Sequence, residues 1–197
     1  MTDYEPAFQA YENLTPLDPA ARPVAVLVAG VPGAGKSTLA EGLARELRAA
    51  VFSTDWQLGA LTPFRVLTEE NQLPLAEMMM VGALARQVQL GLDVALDAPG
   101  HEVEVRERYR RVAESLGARF VGVECVCSDP EVHRSRVEGR DRGIPGWRPT
   151  VPWTHVQRMQ GLWEAWPEPH LVMDSAEQDA ETMLKLTLEA VSAARAA

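Results

Sequence analysis

Lysine is almost missing from this chain: Lys36 and Lys185 are the only two among 19 basic residues. A chain that writes arginine nearly everywhere has nonetheless kept lysine at 36. Basic charge is short altogether, because 28 acidic residues bring the formal net charge to −9. A protein that grips a phosphate polymer needs a basic face, so nucleic acid is disfavoured as a partner. Cysteine is scarce as well. Cys125 and Cys127 stand two apart in an apolar run, where a strand would point both to one face and not favour a bridge between them. They read as small buried apolar residues, with no sign of an oxidising compartment. Apolar runs long enough for a membrane helix, about 20 residues, do not occur. The opening MTDYEPAFQAYENL has neither the basic nor the apolar segment of a secretory signal. No membrane association is expected, and the cytoplasm is the default location. The histidines, His101, His133, His155 and His170, show no metal-ligand spacing. Internal repeats and low-complexity tracts are missing too.

What is present reads as one α/β domain. The length of 197 residues suits a single core, and 46% apolar with 24% charged residues is the balance of a soluble globular chain. Residues 1–23 are polar and broken by Pro6, Pro16, Pro19 and Pro23, an arm with a short helix near 6–13. Then VAVLVA, residues 24–29, is a continuous apolar run, the mark of a strand buried on both faces. Helices are expected over 36–49, 74–90, 102–116, 129–140, 153–166 and 177–194, and further strands over 51–54, 94–98, 120–127 and 170–174. Ser128 and Glu131 have the spacing of a capping box for the fourth of these helices. Between 141 and 152 the chain is rich in Gly, Pro and Arg, which suggests a mobile loop. Met78–Met80 and the apolar residues around them read as gap-filling core. Strands alternating with helices imply a doubly wound parallel sheet with ligands at the C-terminal ends of its strands.

The segment Gly30, Val31, Pro32, Gly33, Ala34, Gly35, Lys36, Ser37, Thr38 matches G-x-x-x-x-G-K-[ST] in full, after a buried strand and at the start of a helix. Glycines let the backbone approach phosphate oxygens and turn several N–H groups inward, and the helix N-terminus adds positive potential. Lys36 would neutralise β- and γ-phosphates, and the Ser37 hydroxyl would ligate Mg2+.

With this loop, Ser53-Thr54-Asp55 after the second strand, Leu96-Asp97-Ala98 at the third, and Arg136 and Arg140 before the Gly/Pro loop, residues 24–176 resemble the small P-loop kinases. The branch includes the polynucleotide 5′-kinase domain, chloramphenicol phosphotransferase, zeta toxins and gluconate kinase. The resemblance implies a three-layer P-loop NTPase fold: a five-stranded parallel sheet in the order 2-3-1-4-5, helices on both faces, and a lid near 141–152 within a kinase domain spanning 24–197. It implies ATP and Mg2+ as cofactors. The activity would be transfer of a phosphoryl group to a hydroxyl of a small molecule, whether metabolite, sugar, nucleoside or antibiotic.

In similar kinases the aspartate at the position of Asp55 accepts the proton of the acceptor hydroxyl; a helix cap is the structural alternative. Asp97 ends an apolar strand, where a carboxylate is costly unless used or paired. It would hold Mg2+ through water, position the acceptor, or brace the loop. Arg136 and Arg140, four apart, would share a helix face and close on the transferring phosphoryl, Arg140 on ATP as well; Arg134 and Arg142 compete for that work, and a solvated arginine face is the plain alternative. Trp56, Trp147 and Trp153 are candidates to wall an organic acceptor, and Arg65 or Arg106 to supply it a cation; Trp163 and Trp166 read as packing on a helix face. One departure from the family matters. The polynucleotide kinase domain carries an arginine three residues after its catalytic aspartate, and here that residue is Leu58. A polynucleotide or nucleotide-sugar kinase is therefore a secondary reading. So is an acceptor-independent NTPase, although the N/T-K-x-D motif of guanine switches is missing and Ala98, not an acid, follows Asp97.

Overall fold

Every residue of the strand β1 (Val24–Ala29) is buried, and alternate side chains serve two different cores. Val24, Val26 and Val28 point into one apolar cluster, and Ala25, Leu27 and Ala29 into the other. That is what an apolar run without polar alternation specifies: a central strand with helices on both sides. In the computed structural model, which describes residues 4–18 and 20–197, β1 pairs in parallel with β3 (Val94–Ala98) and β4 (Arg119–Val126). Outside these lie β2 (Ala50–Ser53), beside β3, and β5 (Leu171–Asp174), beside β4. The order is β2-β3-β1-β4-β5, all parallel, as the resemblance implied.

The helices α2 (Lys36–Leu47) and α8 (Ala180–Ala196) cover the valine face. The alanine–leucine face is covered by α4 (Gln72–Gln89) and α5 (Val103–Ser115). Helix α1 (Glu5–Glu12) joins them. Its Phe8 is 3% exposed within that core, under the Arg108 guanidinium at 4.1 Å. Arg108 also binds Glu5 and Glu77, and Arg111 binds Glu12 at 3.1 Å, so the expected arm is bound to the body along this helix. Its residues 1–3 and Pro19 lie outside the described residues.

Three local expectations change. A helix not foreseen, α3 (Thr54–Leu61), follows β2 directly, with a 3-10 turn at Thr62–Phe64. The helix expected to reach 140 is α6 (Pro130–Val137), capped by Asp129, whose Oδ1 accepts from the N–H groups of Glu131 and Val132, so Ser128 forms no capping box. Pro130 at the first position has no N–H to satisfy. Last, α7 (Trp153–Gly161) stops well before Pro167, leaving Trp163 and Trp166 on an irregular segment. No described helix is long and apolar enough to cross a membrane.

Candidate active site

The loop from β1 to α2 is shaped from both ends. The Gly30 N–H donates to Pro99 O at 3.1 Å, which fixes it to the loop after β3. Gly33 adopts φ +86°, which an L-residue rarely holds, and a Cβ there would run into Val137 and His133 of α6. Lys36 Nζ donates to Val31 O at 3.1 Å, so its ammonium curls back over the loop. Gly35 precedes α2 with no side-chain cap, leaving the first-turn N–H groups of the helix facing the cleft. Backbone donors, one ammonium and a helix N-terminus make an anion cradle.

Beside the cradle, the Ser37 hydroxyl donates to Asp97 Oδ2 at 2.8 Å, and Asp97 is 6% exposed. A hydroxyl and a carboxylate at that separation are hard oxygen donors of the kind Mg2+ takes while it keeps waters and phosphate oxygens. No cluster of three or more His, Cys, Asp or Glu suited to a metal occurs among the described residues. Asp97 is in register with Ser53 at the end of β2. Two residues on, in the first turn of α3, stands Asp55. The two carboxylates are thus brought to one end of neighbouring strands with different partners: Asp97 takes the loop hydroxyl, and Asp55 pairs with Arg142 of the 141–152 loop.

That loop is folded against α3. Arg142 N–H donates to Pro149 O at 2.9 Å, closing its neck. A Cβ on Gly59 would stand 2.5 Å from Pro145 O, and one on Gly146 2.5 Å from Gly59 O, so backbone meets backbone here. Arg140, Arg142, Ile144 and Val151 wall the cleft opposite Lys36, Ser37 and Thr38, with Trp56, 54% exposed, at the same cleft. The four-residue spacing of Arg136 and Arg140 does not place them on one helix face, because Glu138 is already extended. Arg136 is anchored instead: its guanidinium donates to Ser175 Oγ at 2.8 Å and Ser175 O at 2.9 Å, and it lines the cleft from the β5 side. Arg140 has no side-chain partner among the described residues. Arg134 pairs outward with Glu138 at 2.7 Å.

A sequence-family profile described as an AAA domain matches residues 26–164, from β1 past the end of α7. The chain belongs to the AAA domain family. No curated protein sequence matches it. Among solved structures, this AAA domain is similar to a sugar kinase from a Janibacter species: 20% identity over 88% of this chain and 97% of that one, TM-score 0.64. The Mycobacterium tuberculosis APS kinase CysC, in complex with AMPPNP and APS, gives 17%, 87%, 99% and 0.65. Chaetomium thermophilum Kti12, in complex with ADP-AlF3, gives 16%, 88%, 100% and 0.67. At these identities the likeness is one of fold, and the fold is that of small P-loop kinases.

The AAA domain uses Arg106 differently from the substrate contact expected of it. Its side chain is 0% exposed, donates to Gly100 O at 2.6 Å, Glu164 O at 2.9 Å and Ala165 O at 3.1 Å, and lies over Trp163 and Trp166. Burial pulls its pKa below the ordinary guanidinium value. It rivets the loop after β3 to the segment after α7 and offers nothing to an acceptor. Leu58 is 2% exposed, so that position faces core rather than cleft. His133, to which no role was given, backs the phosphate loop. Its Nε2 lies 2.8 Å from Pro32 O and therefore carries the donated proton, and the ring meets Trp153 edge-on at 5.1 Å. The only sequence signal for it was its place in the helix before the lid. Cys125 is pushed up to about 12 by burial, which keeps it a protonated core thiol.

Proposed function

We propose that this AAA domain is an ATP-dependent kinase that transfers the γ-phosphoryl group to a hydroxyl of a small molecule, in the cytoplasm. The observation that carries the reading is the division between the two carboxylates: Asp97 is committed to Ser37 of the phosphate loop, while Asp55 stands apart on α3. A second carboxylate, separate from the loop hydroxyl, is suited to take the proton of an attacking hydroxyl.

In this reading residues 30–38 cradle the phosphates, with Lys36 on the β- and γ-oxygens. Ser37 and Asp97 would hold Mg2+, which supplies charge neutralisation across the β- and γ-phosphates when bound. Arg140 and the anchored Arg136 would meet the charge that spreads over the transferring group. Trp56 offers an exposed apolar face to the acceptor beside Asp55. The acceptor oxygen attacks the γ-phosphorus, the bond to the bridging oxygen breaks, ADP leaves, and the hydroxyl proton passes to Asp55. A sugar kinase and an APS kinase share this fold, which supports a small acceptor. Buried Leu58 and the net charge of −9 speak against a polynucleotide. A second reading is an acceptor-independent NTPase: Kti12, solved with ADP-AlF3, shares the fold without being named a kinase.

Asp55→Asn tests the kinase reading at its base. The kinase reading expects ATP with Mg2+ to raise the melting temperature of the variant as in the parent, while phosphoryl transfer falls roughly 10²- to 10⁴-fold, the scale of a positioned general base. Transfer at the parent rate would move the base elsewhere, with Asp97 the next candidate. Loss of the thermal shift would put Asp55 in the nucleotide site.

A further inference from the structure

The guanidinium of Arg142 occupies the place where an acceptor hydroxyl has to meet Asp55. We infer that Arg142 is a gating residue: it holds Asp55 until an acceptor displaces it, and so lets the enzyme distinguish an acceptor from water. This rests on the reading of Asp55 as the base.

Three features of the loop carry it. Arg142 Nη2 is the atom on Asp55 Oδ2, and the two side chains are only 21% and 34% exposed. The loop that presents it is seated through backbone contact at Gly59 and Gly146 and closed at its neck by the bond to Pro149 O. Finally, Arg142 lines the same cleft as Lys36 and Arg140. A guanidinium has donors only and does not give up its proton at working pH. A carboxylate oxygen engaged by it is withheld from the proton of an incoming water. A small-molecule acceptor that fills the cleft beside Trp56 has binding energy to part the pair; a water molecule has almost none. Closure without acceptor thus leaves the base masked, and closure around an acceptor unmasks it.

The test needs no acceptor. ADP release from Mg·ATP alone is measured for the parent, Arg142→Ala, Arg142→Lys, Gly59→Ala, and the double variant Arg142→Ala/Asp55→Asn. Unmasking the base should raise acceptor-independent hydrolysis about tenfold in Arg142→Ala, a part of the full effect of a general base. Arg142→Lys should stay near the parent rate, since the contact is through a single nitrogen. Gly59→Ala, which unseats the loop by another route, should also rise. The double variant should fall back to the parent rate. An unchanged or lower rate in Arg142→Ala, or loss of its thermal shift with ATP, overturns the gate and leaves Asp55 untouched. A rise that survives Asp55→Asn overturns Asp55 as the base instead.

Discussion

His133 ties the phosphate loop to the helix before the lid, and it does so as a neutral ring. Burial, and then the neighbouring Arg136 and Lys36 charges, hold it below the ordinary imidazole value of 6.5, against the opposing pull of the Pro32 carbonyl. Between its folded value and 6.5 the unfolded chain binds more protons, so stability is present above that window and is lost as pH falls through it. His155 is lowered too, by burial first, and contributes with the same sign. His133→Gln keeps a donor for Pro32 and removes one titration. The drop in melting temperature between pH 7.5 and 5.5 should therefore be smaller in the variant than in the parent; an equal drop would mean that His133 does not titrate on unfolding. At this scale the legibility of the sequence was uneven. Gly30 to Thr38 could be read residue by residue, because a backbone that wraps phosphate demands glycine, lysine and hydroxyl at fixed positions. Arg106 could not. An amphipathic stripe shows which face of α5 is buried, but not that a guanidinium on it donates to carbonyls 58 and 59 residues away.

Among the elements, the long apolar or amphipathic ones were legible to within a residue or two: β1 and β3 fall on their expected bounds, and α5 nearly so. Of the short ones, β2, β5 and α1 fall within a residue of their expected bounds, but α3 was not foreseen and α7 stops short of the expected end. α3 starts on a β-branched Thr54, carries Gly59 inside, and shows no apolar stripe, so its helicity comes from docking on α4 rather than from propensity. That same Gly59 gives a clean test of the lid. Ala in its place favours the helix by about 1 kcal/mol, yet its Cβ meets Pro145 O. Gly59→Ala should keep the fold while trypsin cuts at Arg140 and Arg142 several times faster than in the parent; equal rates would show that the loop is not seated on α3. The arm makes an opposite prediction. Phe8 is core, so Phe8→Ala should cost about 3 kcal/mol in a denaturant titration, with ATP still giving its thermal shift. A cost below ~1 kcal/mol would mean that α1 is a loose attachment.

Taken whole, the molecule is a sheet whose centre is apolar on both faces and whose C-terminal edge gathers the chemistry. The strand order was legible only through the resemblance to the small P-loop kinases, which the phosphate loop after β1 carries. What the sequence left hidden is how the lid meets α3 and what Arg106 ties together, since both depend on contacts between segments far apart in the chain. The formal charge of −9 belongs to the body as a whole, whose buried arginines, Arg106 and Arg108, are spent on structure, while the cleft itself is lined by Lys36, Arg136, Arg140 and Arg142. The decisive measurement is ADP release by the purified protein with Mg·ATP across a set of hydroxyl compounds, with the product followed by phosphorus NMR. A kinase gives at least one compound that accelerates ADP release and appears as its phosphomonoester, and Lys36→Ala abolishes both. Release at one rate whatever is added, with inorganic phosphate as the sole product, would contradict phosphoryl transfer and leave an NTPase.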